Sequence, residues 1–220
     1  MNIVLGGTSG LGKEIASQLR EDNKEVLVLG SSYHVDKDGE GVTVDLRDEQ
    51  SVEQCVDTIK QALDGRALEV FWWVSGYGYN GDFATQENVR SMGIVNFAGA
   101  LPLVQYVWQK LQKQNAGTLA VVSSTTGERA RADEAVYAAT KHAQVGFARS
   151  LGLEAERLGV NAKVSLFLPG GMKTPFWDSN EPAGYDTFND PVRVAAKMIE
   201  AAASQQDAFE ETIIQRGELV

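Results

Sequence analysis

The chain carries a single cysteine, Cys55, in 220 residues. No internal disulfide can form, so nothing points to an oxidising compartment. Cys55 falls among Val52, Val56, Ile59 and Leu63, an apolar helical stripe, and reads as a small core residue rather than a nucleophile. Long apolar runs are also missing. None approaches the ~18 residues needed to cross a bilayer. Met1 leads straight into a strand pattern with no basic leader, so no secretory signal is expected. Positive charge is scarce: 20 basic against 30 acidic residues leave a formal net charge of -10. That balance argues against nucleic acid and anionic membranes as partners. There are five prolines, and no repeat, low-complexity segment or linker is visible. What remains is ordinary globular composition, 43% hydrophobic and 23% charged, enough for a full core. One domain spanning 1–220, a cytoplasmic location and no metal site are expected.

Apolar runs alternate with helical patterns along the chain. Strands are expected at 2–5, 25–29, 41–44, 68–74, 117–123, 161–168 and 212–215. Between them lie helical patterns: one from Gly10 with Leu11, Ile15 and Leu19 on one face, one at 48–63, and a long one at 86–114 broken at Pro102. Two more run from before Tyr137 to about Leu158 and from Asp190 or Pro191 to about Ala203. The alternation predicts an α/β single-domain Rossmann fold, a doubly wound parallel sheet of about seven strands. Ligands of such sheets bind beyond the carboxyl ends of the strands. Gly6, Ser31, Asp45, Ser75, Ser124 and Pro169 all fall at those ends.

The first strand runs into Gly6, Gly7, Thr8, Ser9, Gly10, Leu11 and Gly12, then a helix. That context gives a glycine motif meaning. Gly6 permits the tight turn, Gly10 admits a pyrophosphate against the backbone, and Gly12 lets the helix lie close to the sheet. The free N–H groups of the helix then face the phosphates. After the second strand, an acidic residue would bind the 2′-hydroxyl of NAD. Gly30, Ser31 and Ser32 stand there instead and can donate to a 2′-phosphate, so NADP(H) is favoured over NAD(H). Lys13 and His34 are candidate helpers. Ser75 and Gly76, small and directly after the fourth strand, suit a close approach of backbone to cofactor.

Tyr137 and Lys141 lie four apart in a helical pattern, on one face. A free phenol titrates near ~10, and a fixed ammonium beside it favours the phenolate. The pair can then exchange a proton near neutrality, as a reduced carbonyl requires. Ser124 lies thirteen residues before Tyr137. With these parts in order, the sequence resembles the short-chain dehydrogenase/reductase family from Asn2 to about Thr174. The glycine loop is similar to that family's TGxxxGxG, with Leu5 where its threonine usually stands. Asp45-Leu46 resembles its adenine-contacting segment, Tyr137 and Lys141 its YxxxK, and Asn96 its catalytic Asn. Pro169, Gly170, Met172 and Thr174 resemble the segment holding the nicotinamide.

The resemblance implies hydride transfer between a nicotinamide and the carbonyl or alcohol of a small molecule. Tyr137 would be the general acid/base, Lys141 would hold the ribose and lower the phenol pKa, and Ser124 would orient the substrate oxygen. Asn96 would position a water connecting Lys141 to solvent. The family also implies a homodimer or homotetramer through the helices of Asn96 and Tyr137. Val104, Val107, Leu111, Phe147 and Leu151 are then either interface or core. One departure stands out. Where the family has N-N-A-G, this chain has Trp73, Val74, Ser75 and Gly76, which bears on sheet stability and cofactor affinity. A second function therefore stays open: a non-catalytic NAD(P)-binding redox sensor or scaffold. The substrate loop is expected at about 175–190, with Phe176, Trp177, Tyr185 and Phe188 as an apolar lid or an anchor. Arg129 and Arg131 either draw an anionic substrate or are solvated loop charges.

Overall fold

The computed structural model describes residues 1–33, 40–177 and 184–220. His34 and the side chain of Trp177 lie outside the described residues. Seven parallel strands form one sheet: β1 (Asn2–Leu5), β2 (Val26–Gly30), β3 (Gly41–Thr43), β4 (Val70–Trp73), β5 (Thr118–Val122), β6 (Lys163–Pro169) and β7 (Phe209–Ile214). Their order is β3-β2-β1-β4-β5-β6-β7. The chain winds outward from β1 to β3, then returns to place β4 on the other side of β1. The order reverses between β1 and β4, and the crevice at such a switch point is where ligands of this architecture bind.

The crossovers supply α1 (Gly10–Glu21), α2 (Glu49–Ala62), α3 (Val89–Asn96), α4 (Leu101–Gln114), α5 (Ala135–Leu158) and α6 (Pro191–Ser204). Successive strand residues point to opposite faces, and the core divides accordingly. Ile3, Leu5, Phe71, Trp73, Leu119 and Val121 pack with α2, α4 and α5. Val4, Trp72, Ala120 and Val122 pack with α1 and α6. Both faces are covered, which is why the strands read as unbroken apolar runs. Cys55 is buried in the first of these layers, and burial pushes its thiol up to about 12.

Two expected boundaries move. The break in the long helical region falls at Phe97 (φ -143°, ψ -70°), not at Pro102. Pro102 instead sits in the first turn of α4, where a missing N–H leaves no bond unmade. The last strand begins at Phe209 rather than 212. Glu210 and Glu211 hide its start, because an edge strand tolerates charge that a central strand would not.

The family's two asparagines after β4 are replaced by packing. Trp73 is fully buried, stacked on Phe97 at 6.0 Å and met edge-on by Phe147 at 6.0 Å. The backbone N–H groups of Val74 and Ser75 both donate to the carbonyl of Leu5, at 2.9 Å each, and tie β4 to β1. Val104, Val107 and Leu111 belong to this chain's own core, with Phe147 and Leu151 packed against it. The three α4 residues therefore offer no surface to a second copy.

Candidate active site

A cleft of about 890 Å³ opens at the carboxyl ends of the strands. Its floor is the loop between β1 and α1. Gly6 turns with φ +90°, and a Cβ there would lie 2.7 Å from the backbone of Ser75. At Gly12 a Cβ would collide with the carbonyl oxygen of Gly6, so only glycine lets α1 start this close to the turn. Thr8, Ser9, Gly10 and Leu11 complete this side. Ser9 caps α1 in extended conformation without a side-chain hydrogen bond to the helix. Ser31, Asp45 and Leu46 line one end of the cleft; Pro169, Gly170, Met172 and Thr174 line the other. Ser75 and Gly76 lie between them, and the buried Ser75 hydroxyl has no hydrogen-bond partner among the described residues. An orphaned hydroxyl, a glycine cradle and a helix start with free N–H groups form a donor set that suits a phosphate-bearing dinucleotide.

One expected cofactor contact, Ser32, and the candidate helper Lys13 lie outside the lining. Ser32 is exposed, joins Thr8 Oγ1 at 3.5 Å and does not line the cleft. Lys13 is exposed on α1, also away from the lining. Arg47 does line the cleft and was missed by the sequence reading. Its guanidinium grips Asp45 through Nε (2.9 Å) and Nη2 (2.8 Å), and this hydrogen bonding holds the Asp45 carboxyl below its usual range.

Ser124, Tyr137 and Lys141 share one buried wall. Ser124 stands just past β5, and its Oγ accepts from the N–H of Thr126 at 3.1 Å, which fixes its rotamer. It also acts on Tyr137, opposing the rise of the phenol pKa. Phe176 meets the Tyr137 ring edge-on at 5.7 Å. Lys141 Nζ sits 5.8 Å from the centroid of that ring. It donates to the carbonyl of Val122 (3.0 Å) and to Oε1 of Gln144 (2.9 Å).

The expected acidification of the phenol is absent here. Burial pushes Tyr137 up to about 12, opposed by Ser124. Burial also brings Lys141 down to about 7. Desolvation is the leading cause of both shifts. The nearby Glu134 carboxylate raises the phenol further. Glu134 is buried and lines the cleft; burial lifts its own pKa, while Arg131 and a hydrogen bond from Thr126 Oγ1 (3.3 Å) oppose this. Arg131 is an exposed residue of the lining; Arg129 is not part of it.

Asn96 is fully buried at the end of α3, behind the cleft wall rather than in it. Its side chain clasps the backbone of Tyr77, accepting from N (2.9 Å) and donating to O (2.8 Å), and donates to Thr140 Oγ1 at 3.1 Å. Its backbone carbonyl accepts from Gln144 Nε2 at 3.1 Å. A side chain therefore connects Lys141 to Asn96. Gln144 was missed in the sequence, although a glutamine one turn beyond Lys141 among Ala138, Val145 and Ala148 is a visible signal. Of the stretch 175–190 expected as a substrate loop, residues 178–183 lie outside the described residues; among the rest Phe188 is buried, Tyr185 packs on it at 5.3 Å, and Phe188 and Phe176 both line the cleft.

A family model described as short chain dehydrogenase matches residues 1–183. The 3-oxoacyl-[acyl-carrier-protein] reductase MabA of Mycobacterium tuberculosis is 28% identical over 176 residues, covering 78% of this chain and 69% of its own. Carbonyl reductase family member 4 of Xenopus tropicalis is 23% identical over 215 residues, covering 89% and 88%. Among solved structures, ElxO with NADP bound superposes with a TM-score of 0.82 at 21% identity, over 99% of this chain and 98% of that one. An actinorhodin polyketide ketoreductase with NADPH gives 0.80 at 22%, over 99% and 96%. By sequence match, strand order and cleft, the chain belongs to the short-chain dehydrogenase family, NAD(P)-dependent oxidoreductases of carbonyl and hydroxyl groups.

Proposed function

We propose that this protein is an NADP(H)-dependent reductase of a small-molecule carbonyl, with Tyr137 as general acid. The observation that carries the reading is the buried wall shared by Ser124, Tyr137 and Lys141, with Lys141 Nζ 5.8 Å from the centroid of the Tyr137 ring. A phenol near 12 keeps its proton at neutral pH, as an acid for carbonyl reduction must. When bound, a nicotinamide would supply the hydride for the carbonyl carbon. Tyr137 Oη gives the proton to the carbonyl oxygen, so reduction adds one hydride and one proton. Ser124 already accepts from Thr126, which leaves its own hydrogen to turn toward the substrate oxygen. Two donors on one oxygen stabilise the negative charge that develops there.

Gly6, Thr8, Ser9, Gly10, Leu11 and Gly12 would hold the pyrophosphate, and Ser75 and Gly76 would lie against the cofactor between its two ends. Asp45 and Leu46 would take the adenine; Pro169, Gly170, Met172 and Thr174 would take the nicotinamide. The NADP(H) reading rests on the end of β2, where Gly30 and Ser31 line the cleft and, among the described residues, no carboxylate of that strand end joins them. Arg47 supports it from the end of β3, since it leaves Asp45 with little uncompensated charge. The non-catalytic alternative drew on the altered segment after β4; the packing of Trp73 there supports a sound sheet and so favours the catalytic reading.

Fluorescence titration with NADPH and with NADH tests the cofactor, and Tyr137→Phe tests the chemistry. NADPH is expected to bind more tightly. Tyr137→Phe keeps the ring that Phe176 packs on, so it should bind cofactor within about twofold of wild type. Its turnover should fall about 10²–10⁴-fold, the usual worth of a positioned acid. Undiminished turnover would overturn the mechanism.

A further inference from the structure

Gln144 is fully buried, one turn beyond Lys141 on α5, and lies outside the cleft lining. Its amide spans two groups of opposite hydrogen-bonding type. Lys141 Nζ can only donate, and the carbonyl of Asn96 can only accept. One orientation of the amide satisfies both, with Oε1 on the lysine at 2.9 Å and Nε2 on the carbonyl at 3.1 Å. No other side chain of this length does so. A carboxylate accepts from Lys141 but gives nothing to Asn96, and an apolar chain serves neither.

We propose that Gln144 is a positioning residue that fixes the direction and the protonation of Lys141, tying its ammonium to the end of α3 through the Asn96 carbonyl. This rests on the reading of Lys141 as a working group of the site, and goes beyond the family pattern, which routes that connection through water. Lys141 has two acceptors, Val122 O and Gln144 Oε1, and both stabilise its charged form. Deleting one lowers the pH at which Lys141 loses its proton; replacing it with a carboxylate raises that pH. The facing groups leave this effect unmasked. Tyr137 is the titratable neighbour on α5 itself. Val122 from β5, Ser123 just beyond it, Asn96 from α3 and Gly76 beyond β4 are uncharged. Glu134 and Arg131, from the loop ahead of α5, act on Tyr137. Among the described residues no charged group acts on Lys141, whose fall to about 7 comes from burial.

The test is an NMR titration of side-chain lysine signals in the purified protein without cofactor, with Lys141→Met identifying the Lys141 signal. The pH profile of NADPH-dependent reduction is recorded alongside. Gln144→Met is expected to move the Lys141 midpoint down by about one pH unit, tenfold in its ionisation constant, and Gln144→Glu to move it up by a similar amount. The limb of the rate profile set by Lys141 should follow. An unmoved midpoint in folded Gln144→Met overturns the proposal. Should Gln144→Met fail to fold, Gln144→Glu decides alone: an upward shift supports the proposal and an unchanged midpoint overturns it. Tyr137→Phe in the same assay separates this inference from the reading beneath it. If Tyr137→Phe stays active, the acid–base assignment fails whatever the lysine midpoint does. If it is inactive and the midpoint has not moved, only the role of Gln144 fails.

Discussion

Trp73 stacks on Phe97 with ring centroids 6.0 Å apart and planes inclined by 23°. Phe97 is the residue at which the helix bearing Asn96 ends. One aromatic contact thus joins the end of β4, where the cofactor cleft begins, to the turn that sets Asn96 behind the lysine.

The contact makes a prediction about the family's missing asparagine. Trp73→Ala removes a fully buried indole and should cost about 3–5 kcal/mol, the range for large aromatics deleted from a core. Trp73→Asn should cost at least as much, because the new amide enters an aromatic pocket in place of an indole whose N–H already lacks a partner among the described residues. Urea denaturation of the three proteins measures both. An Asn variant as stable as wild type would show that the site still accommodates the family residue.

Much of this was legible in the sequence, and the limits have physical causes. The strand and helix periods gave the winding, because both faces of the sheet are buried and every central strand is a plain apolar run. The order of Ser124, Tyr137 and Lys141 along the chain placed them at one cleft. Their protonation was not legible. Spacing shows that Tyr137 and Lys141 share a helix face, but not that both are buried, and burial decides their pKa values. Arg47 and Glu134 escaped for a related reason. Their partners are near in sequence, but a single charged residue in a loop pattern reads as solvated, and only the fold shows that both line the cleft. The break at Phe97 was displaced to Pro102 because proline is visible in a sequence and an aromatic anchor is not.

The depressed Lys141 carries a stability signature of definite sign. Its pKa falls from the ordinary lysine value of 10.5 to about 7 on folding. Between those values the unfolded chain binds more protons than the native one, so this group makes the protein more stable as pH rises. Below about 7 both states are charged and the penalty is constant. Lys141→Met removes this dependence. The stability of wild type relative to Lys141→Met should therefore grow from pH 7 to 9.5, by at most about 1.4 kcal/mol per pH unit. The raised Tyr137 does not interfere, since its contribution is lost only as pH climbs from 10 toward 12. Denaturation of both proteins at the two pH values decides the matter, and a constant difference would mean that Lys141 is not desolvated in the native state.

Glu134 offers the complementary experiment on the phenol. Its carboxylate raises the Tyr137 pKa, because a negative charge beside a forming phenolate disfavours ionisation. Glu134→Gln keeps the size of the side chain and still offers an oxygen to Thr126 Oγ1, but removes the charge. Tyr137 should then ionise at lower pH. In carbonyl reduction the phenol must hold its proton, so the alkaline limb of the rate profile should move to lower pH with it. Tyrosinate absorbance, read against Tyr137→Phe, follows the same ionisation without relying on turnover. The direction is the test. A mere packing role for Glu134 would lower the rate at every pH and leave the limb where it stands, whereas an electrostatic role moves the limb and leaves the fold intact.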